Sequence, residues 1–129
     1  IIGVIEDHLK APHRSGSPLG SREGVRLRLA DLRIEVFAAR SMLYRTARLV
    51  DSGEDATHEV SATKVFATEV AGHVIDTAVQ LVGGNALIRG HTLEQLYRRL
   101  RSFRLTEGAS DLLRINLSKA RLEKNRGRL

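Results

Sequence analysis

Two short segments carry the residue types that could do chemistry. A glycine turn, Gln80-Leu-Val-Gly-Gly-Asn85, is followed further along the chain by Leu105-Thr-Glu-Gly-Ala-Ser110. The glycines at 83 and 84 permit positive φ and let another molecule approach the main chain. Glu107 lies where no helical repeat requires a carboxylate. Next to Gly108, it could act as a general base on a substrate that approaches the backbone.

Each segment also has a purely structural interpretation. A carboxylate just before a helix is stabilised by the unpaired amides there, and it contributes less than about 1 kcal/mol. A pair of glycines is a common helix stop. The functional interpretation of Glu107 is removal of a proton beside a thioester carbonyl, with backbone amides stabilising the enolate.

These segments, with Tyr97-Arg-Arg-Leu-Arg101 between them, resemble the C-terminal helical domain of the acyl-CoA dehydrogenase flavoproteins. The resemblance extends over residues 16–122. It implies that Glu107 removes the α-proton of an acyl-CoA thioester while a hydride passes to FAD. It also implies that the amide of Glu107 helps to bind the thioester oxygen, and that Gly108 lines the acyl-CoA site.

The same resemblance implies a set of FAD contacts. The family usually has threonine where this chain has Ala109, so one hydroxyl contact is absent. Pro12 stands where the family has an arginine for the flavin phosphate, and Arg14 is the nearby substitute. The glycine turn is implied to reach the FAD of a neighbouring subunit. The expected cofactor-binding residues are Gln80, Gly83, Gly84, Asn85, Ala109, Ser110, Asp111 and Arg14.

A cofactor site shared between subunits implies at least a homodimer, and the family is often a homotetramer. The implied electron acceptor resembles electron-transfer flavoprotein. Two alternatives stay open. One is a family homologue that acts on DNA, favoured by a pI near 10.5 and by an arginine set that we call the arginine strip. The other is a structural bundle for oligomerisation. The arginine strip consists of Arg98, Arg99, Arg101 and Arg104, with Tyr97 and Phe103 between them.

Apolar periodicity predicts an all-α, antiparallel up-and-down bundle. A stripe at intervals of three and four predicts a helix from Val25 to Val50, and a second face predicts one from Thr57 to Leu81. Thr92-Leu-Glu-Gln95 has the form of a capping box and predicts a third helix start. The final helix is expected to begin just after Glu107. We predict a helix at 1–10, a loop at 11–21, the bundle at 22–122 and a basic tail at 123–129.

The composition limits the classes of site. The 129 residues are enough for one domain. Without cysteine there is no disulfide or thiolate. Glu69, His73 and Asp76 share a helix face, but ordinary ion pairing accounts for them better than a metal does, so we predict no metal. We expect no membrane span and a cytoplasmic location. Because the first residue is Ile1, we expect a piece of a longer enzyme. We expect this piece to be inactive alone, because one wall of a cofactor site cannot enclose the flavin.

Overall fold

Five α-helices build the described part of the chain, which is residues 1–127 and 129 of a computed structural model. Within these residues there is no strand, so the prediction of an all-α fold is confirmed. Short 3-10 turns at Leu19–Ser21 and Gly84–Leu87 precede α2 and α4. The helices are α1 (Ile2–Lys10), α2 (Glu23–Asp51), α3 (Thr57–Val82), α4 (Thr92–Ser102) and α5 (Ser110–Lys124).

The two long helices, α2 and α3, lie side by side in opposite directions. His73 Nδ1 is 2.8 Å from Glu35 Oε2, and the Thr46 and Thr63 hydroxyl oxygens are 2.7 Å apart. From the first pair to the second, the α2 position advances from 35 to 46 while the α3 position goes back from 73 to 63, so the two helices are antiparallel.

Helix α4 is also antiparallel to α3. Tyr97, in its middle, donates a hydrogen bond to Asp76, whereas Arg104, just past its end, reaches back to Glu69. The connection between α4 and α5 therefore lies beside the middle of α3.

Helix α3 is the centre of the bundle, because it contacts each of the other four helices. It is also the one helix among the described residues that is long and apolar enough to cross a membrane, with a mean hydropathy of 1.2 over its most apolar window. Within the described residues, 33% of that window is buried. The buried core consists of Ile5, Leu9, Leu32, Ala39, Val70, Val74, Ile75, Ala78, Leu81, Ala86 and Leu93.

The predicted apolar stripe of α2 is only partly buried toward the end of the helix. Leu43 and Val50 are each 51% exposed, while Thr46 is buried. The buried residues Leu32, Ala39 and Thr46 are spaced by seven, so the inward face keeps its direction. Because α2 packs against one long helix, α3, only a narrow face is covered, and Leu43 and Val50 lie beside it. On α3, Val60 was predicted to face inward but is 46% exposed, and Glu59 is buried in its place.

The start of α4 also corrects the prediction. The N-cap residue is His91, whose Nδ1 accepts a hydrogen bond from the Leu93 amide at 3.1 Å. Glu94 accepts a hydrogen bond from the Gly90 amide at 3.3 Å, and Gln95 Nε2 donates one to the Gly90 carbonyl at 3.3 Å, so both side chains reach back across the helix start. Thr92 is already helical. The N-cap residue is therefore one position earlier than the threonine indicated.

The predicted basic tail at 123–129 is partly helical, because α5 continues to Lys124. Asn125 then adopts φ 47°, and the Arg126 amide donates to the Ala120 carbonyl at 2.9 Å. Arg128, also part of that prediction, lies outside the described residues. At the other end of the chain, α1 buries Ile5 and Leu9 in the core.

Candidate functional site

The Glu107 turn, residues 105–109, has an unusual backbone. Glu107 adopts φ 53° and Gly108 adopts φ 95°, so two successive residues are in the positive-φ region. A residue with a Cβ atom is disfavoured there by about 1–2 kcal/mol. Glu107 is exposed, and its carboxylate forms no hydrogen bond or ion pair with any described residue. The turn therefore presents a free carboxylate to whatever lies outside it.

Contacts with α3 and within the turn maintain this conformation. Lys64 Nζ donates a hydrogen bond to the Gly108 carbonyl at 2.5 Å. The Ser110 amide donates to the Arg104 carbonyl at 3.0 Å, which closes the turn. A Cβ on Gly108 would lie 3.1 Å from Leu113 Cδ2, so both the conformation and the space favour glycine.

Arg104 attaches the same turn to α3 through its side chain. Arg104 Nε lies 3.1 Å from Glu69 Oε2, an ion pair without the alignment of a hydrogen bond. Its Nη2 donates to the Glu69 carbonyl at 3.4 Å. A Cβ on Gly72 would lie 2.7 Å from Arg104 Cζ, so the guanidinium packs directly on the α3 backbone.

Sequence reasoning missed Lys64 and Gly72. Lys64 gives no signal, since its partner is a backbone carbonyl far along the chain. A glycine inside a long helix, by contrast, is a recognised sign of close packing. Gly72 could have been noticed on that ground.

The first residues of α5 differ in what they can offer a ligand. Ala109 is the N-cap residue and has no side-chain acceptor for the helix amides. Ser110 is 6% exposed, and its Oγ has no partner among the described residues. Asp111 is exposed and accepts a hydrogen bond from Arg114 Nη1 at 3.0 Å. Since buried hydroxyls are nearly always paired, Ser110 has the chemistry to meet a polar group of a bound molecule.

The glycine turn after α3 is open on its outer side. Gly83 has φ 81° and ψ −161°, a conformation restricted to glycine. Gly84 is not at positive φ and starts the 3-10 turn, so the expectation of positive φ is wrong for that residue. A Cβ on either glycine would meet nothing within 4 Å. A flat ligand could therefore approach both.

Arg14 and this turn share one cleft of about 500 Å³. Its walls include Arg14, His13, Gly83, Gly84 and Asn85. Arg14 is exposed and makes no ion pair with any described residue. An unpaired guanidinium beside an open glycine backbone fits a phosphorylated ligand such as FAD.

Gln80 is about one helical turn before Gly83. It is exposed and lines a separate cleft of about 310 Å³ together with His73, Asp76 and Thr77. The contact of Gln80 with the cofactor stays a prediction.

The glycine turn and the Glu107 turn lie at different levels of α3. Arg104 touches α3 at Gly72, and at 1.5 Å per residue the helix axis from Gly72 to Gly83 is about 16 Å long. One domain therefore presents two separate candidate sites.

Two of the α3 side chains considered as metal ligands have other partners. Glu69 pairs with Arg104 and Arg114, and His73 faces Glu35. Among the described residues, no group of three or more histidine, aspartate or glutamate side chains is placed to hold a metal ion.

The arginines of the arginine strip differ in their partners and in their direction. Arg98 pairs with Glu94 at 3.3 Å, and Arg104 turns inward onto α3. Asp76 accepts a hydrogen bond from Tyr97 Oη at 3.0 Å. That bond, then the negative charge of Asp76 and partial burial, raises the pKa of Tyr97 above its ordinary value.

Comparison with known proteins agrees with the fold and with the family resemblance. The family model for the acyl-CoA dehydrogenase C-terminal domain matches residues 2–122. (R)-benzylsuccinyl-CoA dehydrogenase of Thauera aromatica is 35% identical over 98% of this chain and 31% of that protein. The caffeyl-CoA reductase-Etf complex subunit CarC of Acetobacterium woodii is 30% identical over 95% of this chain and 33% of that protein.

A solved FAD complex of PigA superposes with a TM-score of 0.86 and 25% identity, over 98% of this chain and 32% of that one. The chain thus spans about one third of the proteins it matches. Given the family match over nearly its whole length, the chain belongs to the acyl-CoA dehydrogenase family and corresponds to its C-terminal domain.

Proposed function

We propose that this chain is the C-terminal domain of a longer FAD-dependent acyl-CoA dehydrogenase, in which Glu107 is the base that removes the α-proton. The observation that carries the proposal is the exposed carboxylate of Glu107, which has no partner among the described residues and is held at φ 53° beside Gly108. A helix-start acid needs neither the positive φ nor the neighbouring glycine.

In this chemistry the chain's own residues handle the proton and the developing charge. The Glu107 carboxylate takes the α-proton as the Cα–H bond breaks. The Glu107 amide donates a hydrogen bond to the thioester oxygen, where negative charge accumulates. Gly108 has no side chain and leaves room for the thioester beside the backbone. FAD, when bound, supplies the acceptor for the hydride that leaves the β-carbon.

Two groups of residues are proposed to hold FAD. Ala109, Ser110 and Asp111 contact it near the base, where the unpaired Ser110 hydroxyl is the best-supported contact. Gly83, Gly84, Asn85 and Arg14 contact the FAD of a neighbouring subunit, with Gln80 at the edge of that surface. The separation of the two sites along α3 supports this division, since one FAD-bearing site then draws on two chains.

The assembly that follows is a homodimer or homotetramer that acts on an acyl-CoA. One similar protein is by name a subunit of an Etf complex, which supports an acceptor of the electron-transfer flavoprotein type. This domain by itself is proposed to be inactive, because one wall of a cofactor site cannot enclose the flavin.

The test is Glu107→Gln in the full-length protein, with Glu123→Gln as a matched control on the exposed end of α5. Glu107→Gln keeps its FAD but loses roughly 10²–10⁴ in the rate of flavin reduction by acyl-CoA, since the general base is absent. The control keeps both. A Glu107→Gln protein that is reduced as fast as wild type rejects Glu107 as the base.

A further inference from the structure

We propose that Lys64 and Arg104 are positioning residues for Glu107, and that they hold its turn at a fixed place on α3 through two attachments. The inference rests on the proposed function of Glu107 as the base. Neither side chain is proposed to touch the substrate. Both act through the backbone of the turn.

The turn needs external support because its own side chains provide little. Glu107 is exposed and has no partner among the described residues, and its φ of 53° is disfavoured for a residue with a Cβ. Gly108, at φ 95°, adds the flexibility of glycine. A turn of this kind, if released from α3, would sample other conformations and move the carboxylate.

The first attachment is the hydrogen bond from Lys64 Nζ to the Gly108 carbonyl at 2.5 Å. The donor is charged and the contact is partly buried, which makes it stronger than an exposed neutral hydrogen bond. This bond fixes the peptide group between Gly108 and Ala109, and Gly108 directly follows Glu107. Lys64 therefore restrains the turn on the side of α5.

The second attachment restrains the turn on the side of α4. The Arg104 guanidinium lies on α3 at Gly72 and pairs with Glu69, while the Arg104 carbonyl accepts the Ser110 amide at 3.0 Å. One residue thus binds α3 with its side chain and closes the turn with its backbone. The segment between Arg104 and Ser110 contains Glu107.

The test compares Lys64→Met and Arg104→Met in the full-length protein with two controls, Lys119→Met and Arg99→Met. The control side chains are exposed and make no hydrogen bond or ion pair with the described residues. Amide hydrogen exchange across residues 105–110 is measured first, without substrate. The attachments predict exchange faster by about tenfold in the two test variants and unchanged exchange in the controls.

The second measurement is turnover. Misplacing the base lowers kcat by about tenfold or more in the test variants while KM and FAD content stay close to wild type. Lys64→Arg keeps a charged donor and restores part of kcat. Gly72→Ala displaces the Arg104 guanidinium without removing it, so it reproduces Arg104→Met even if that variant folds poorly.

Unchanged exchange in Lys64→Met and in Gly72→Ala overturns the inference. The inference is also overturned if the test variants exchange faster but keep a normal kcat while Glu107→Gln is inactive. An active Glu107→Gln variant rejects the proposed function and the role in catalysis with it. Because Glu107→Gln retains both attachments, failure of the proposed function can be distinguished from failure of the inference about the attachments.

Discussion

Arg104 occupies the space that a side chain at position 72 would need. A Cβ on Gly72 would lie 2.7 Å from Arg104 Cζ and 3.0 Å from its Nε. Glycine inside a helix costs about 1 kcal/mol relative to alanine, so α3 gives up some stability at this point. In return, the guanidinium reaches Glu69 and ties the connection between α4 and α5 to the centre of the bundle.

The contact between Gly72 and Arg104 predicts that the effect of Gly72→Ala on stability changes sign between two backgrounds. In wild type, Gly72→Ala is neutral or destabilising, because the gain in helix propensity is offset by loss of the Arg104 contacts. In an Arg104→Met background the same substitution stabilises by up to about 1 kcal/mol, since the obstacle is smaller and more flexible. Denaturant unfolding of the four proteins of this cycle measures the coupling. Equal effects of Gly72→Ala in both backgrounds would show that the two residues do not interact.

The two glycines of the turn after α3 respond differently to substitution. Gly83→Ala is expected to destabilise by about 1–3 kcal/mol, because its φ of 81° and ψ of −161° suit glycine alone. Gly84→Val leaves helix content and stability of the domain nearly unchanged, since position 84 is not at positive φ and has open space around it.

In the full-length protein, Gly84→Val is expected to lower FAD retention and the stability of the dimer together, because the side chain fills the approach to the turn. Far-ultraviolet dichroism, FAD occupancy and sedimentation are compared with wild type. Full occupancy in an intact oligomer would remove Gly84 from the cofactor site.

The buried hydroxyl pair between α2 and α3 gives a separate prediction. Thr46 and Thr63 are 6% and 4% exposed, and their hydroxyl oxygens are 2.7 Å apart. Thr63→Val leaves the Thr46 hydroxyl without this partner and destabilises by about 1–3 kcal/mol. The double valine variant is less destabilised than the sum of the two single variants. Additive single effects, measured by thermal unfolding, would contradict a shared hydrogen bond.

Tyr97 predicts an alkaline transition. Its hydrogen bond to Asp76, followed by the charge of that carboxylate, raises the pKa of Tyr97 above its ordinary value of about 10. The folded state therefore holds the phenolic proton more tightly than the unfolded state does. The resulting stability is fully present below pH about 10 and is lost as pH rises through the folded pKa.

Alkaline absorbance of wild type minus Tyr97→Phe isolates this titration. Asp76→Asn is expected to lower the midpoint toward the ordinary value, because both main causes of the shift depend on the carboxylate. A midpoint that stays unchanged in Asp76→Asn would assign the shift to burial instead.

The sequence by itself determined the helices and the family. Apolar repeats, the Gly-Gly stop and the Glu-Gly pair act over a few residues, so their consequences can be read locally. For the same reason the limits of α3 and α5 agree closely with the prediction. The predicted stripe on α2 was wrong at Leu43 and Val50, because the periodicity shows which residues share a face but not how wide a face the neighbouring helix α3 covers.

Only the tertiary structure decided how the candidate site is supported. Lys64 and Gly108, and Gly72 and Arg104, are far apart in sequence, and neither pair follows a repeat that could be read along the chain. The structure also brought Arg14 into one cleft with Gly83 and Gly84, although they are far apart in sequence. Local patterns specify which residues can form an element, whereas the packing of α4 and α5 on α3 determines which backbone group each long side chain can reach.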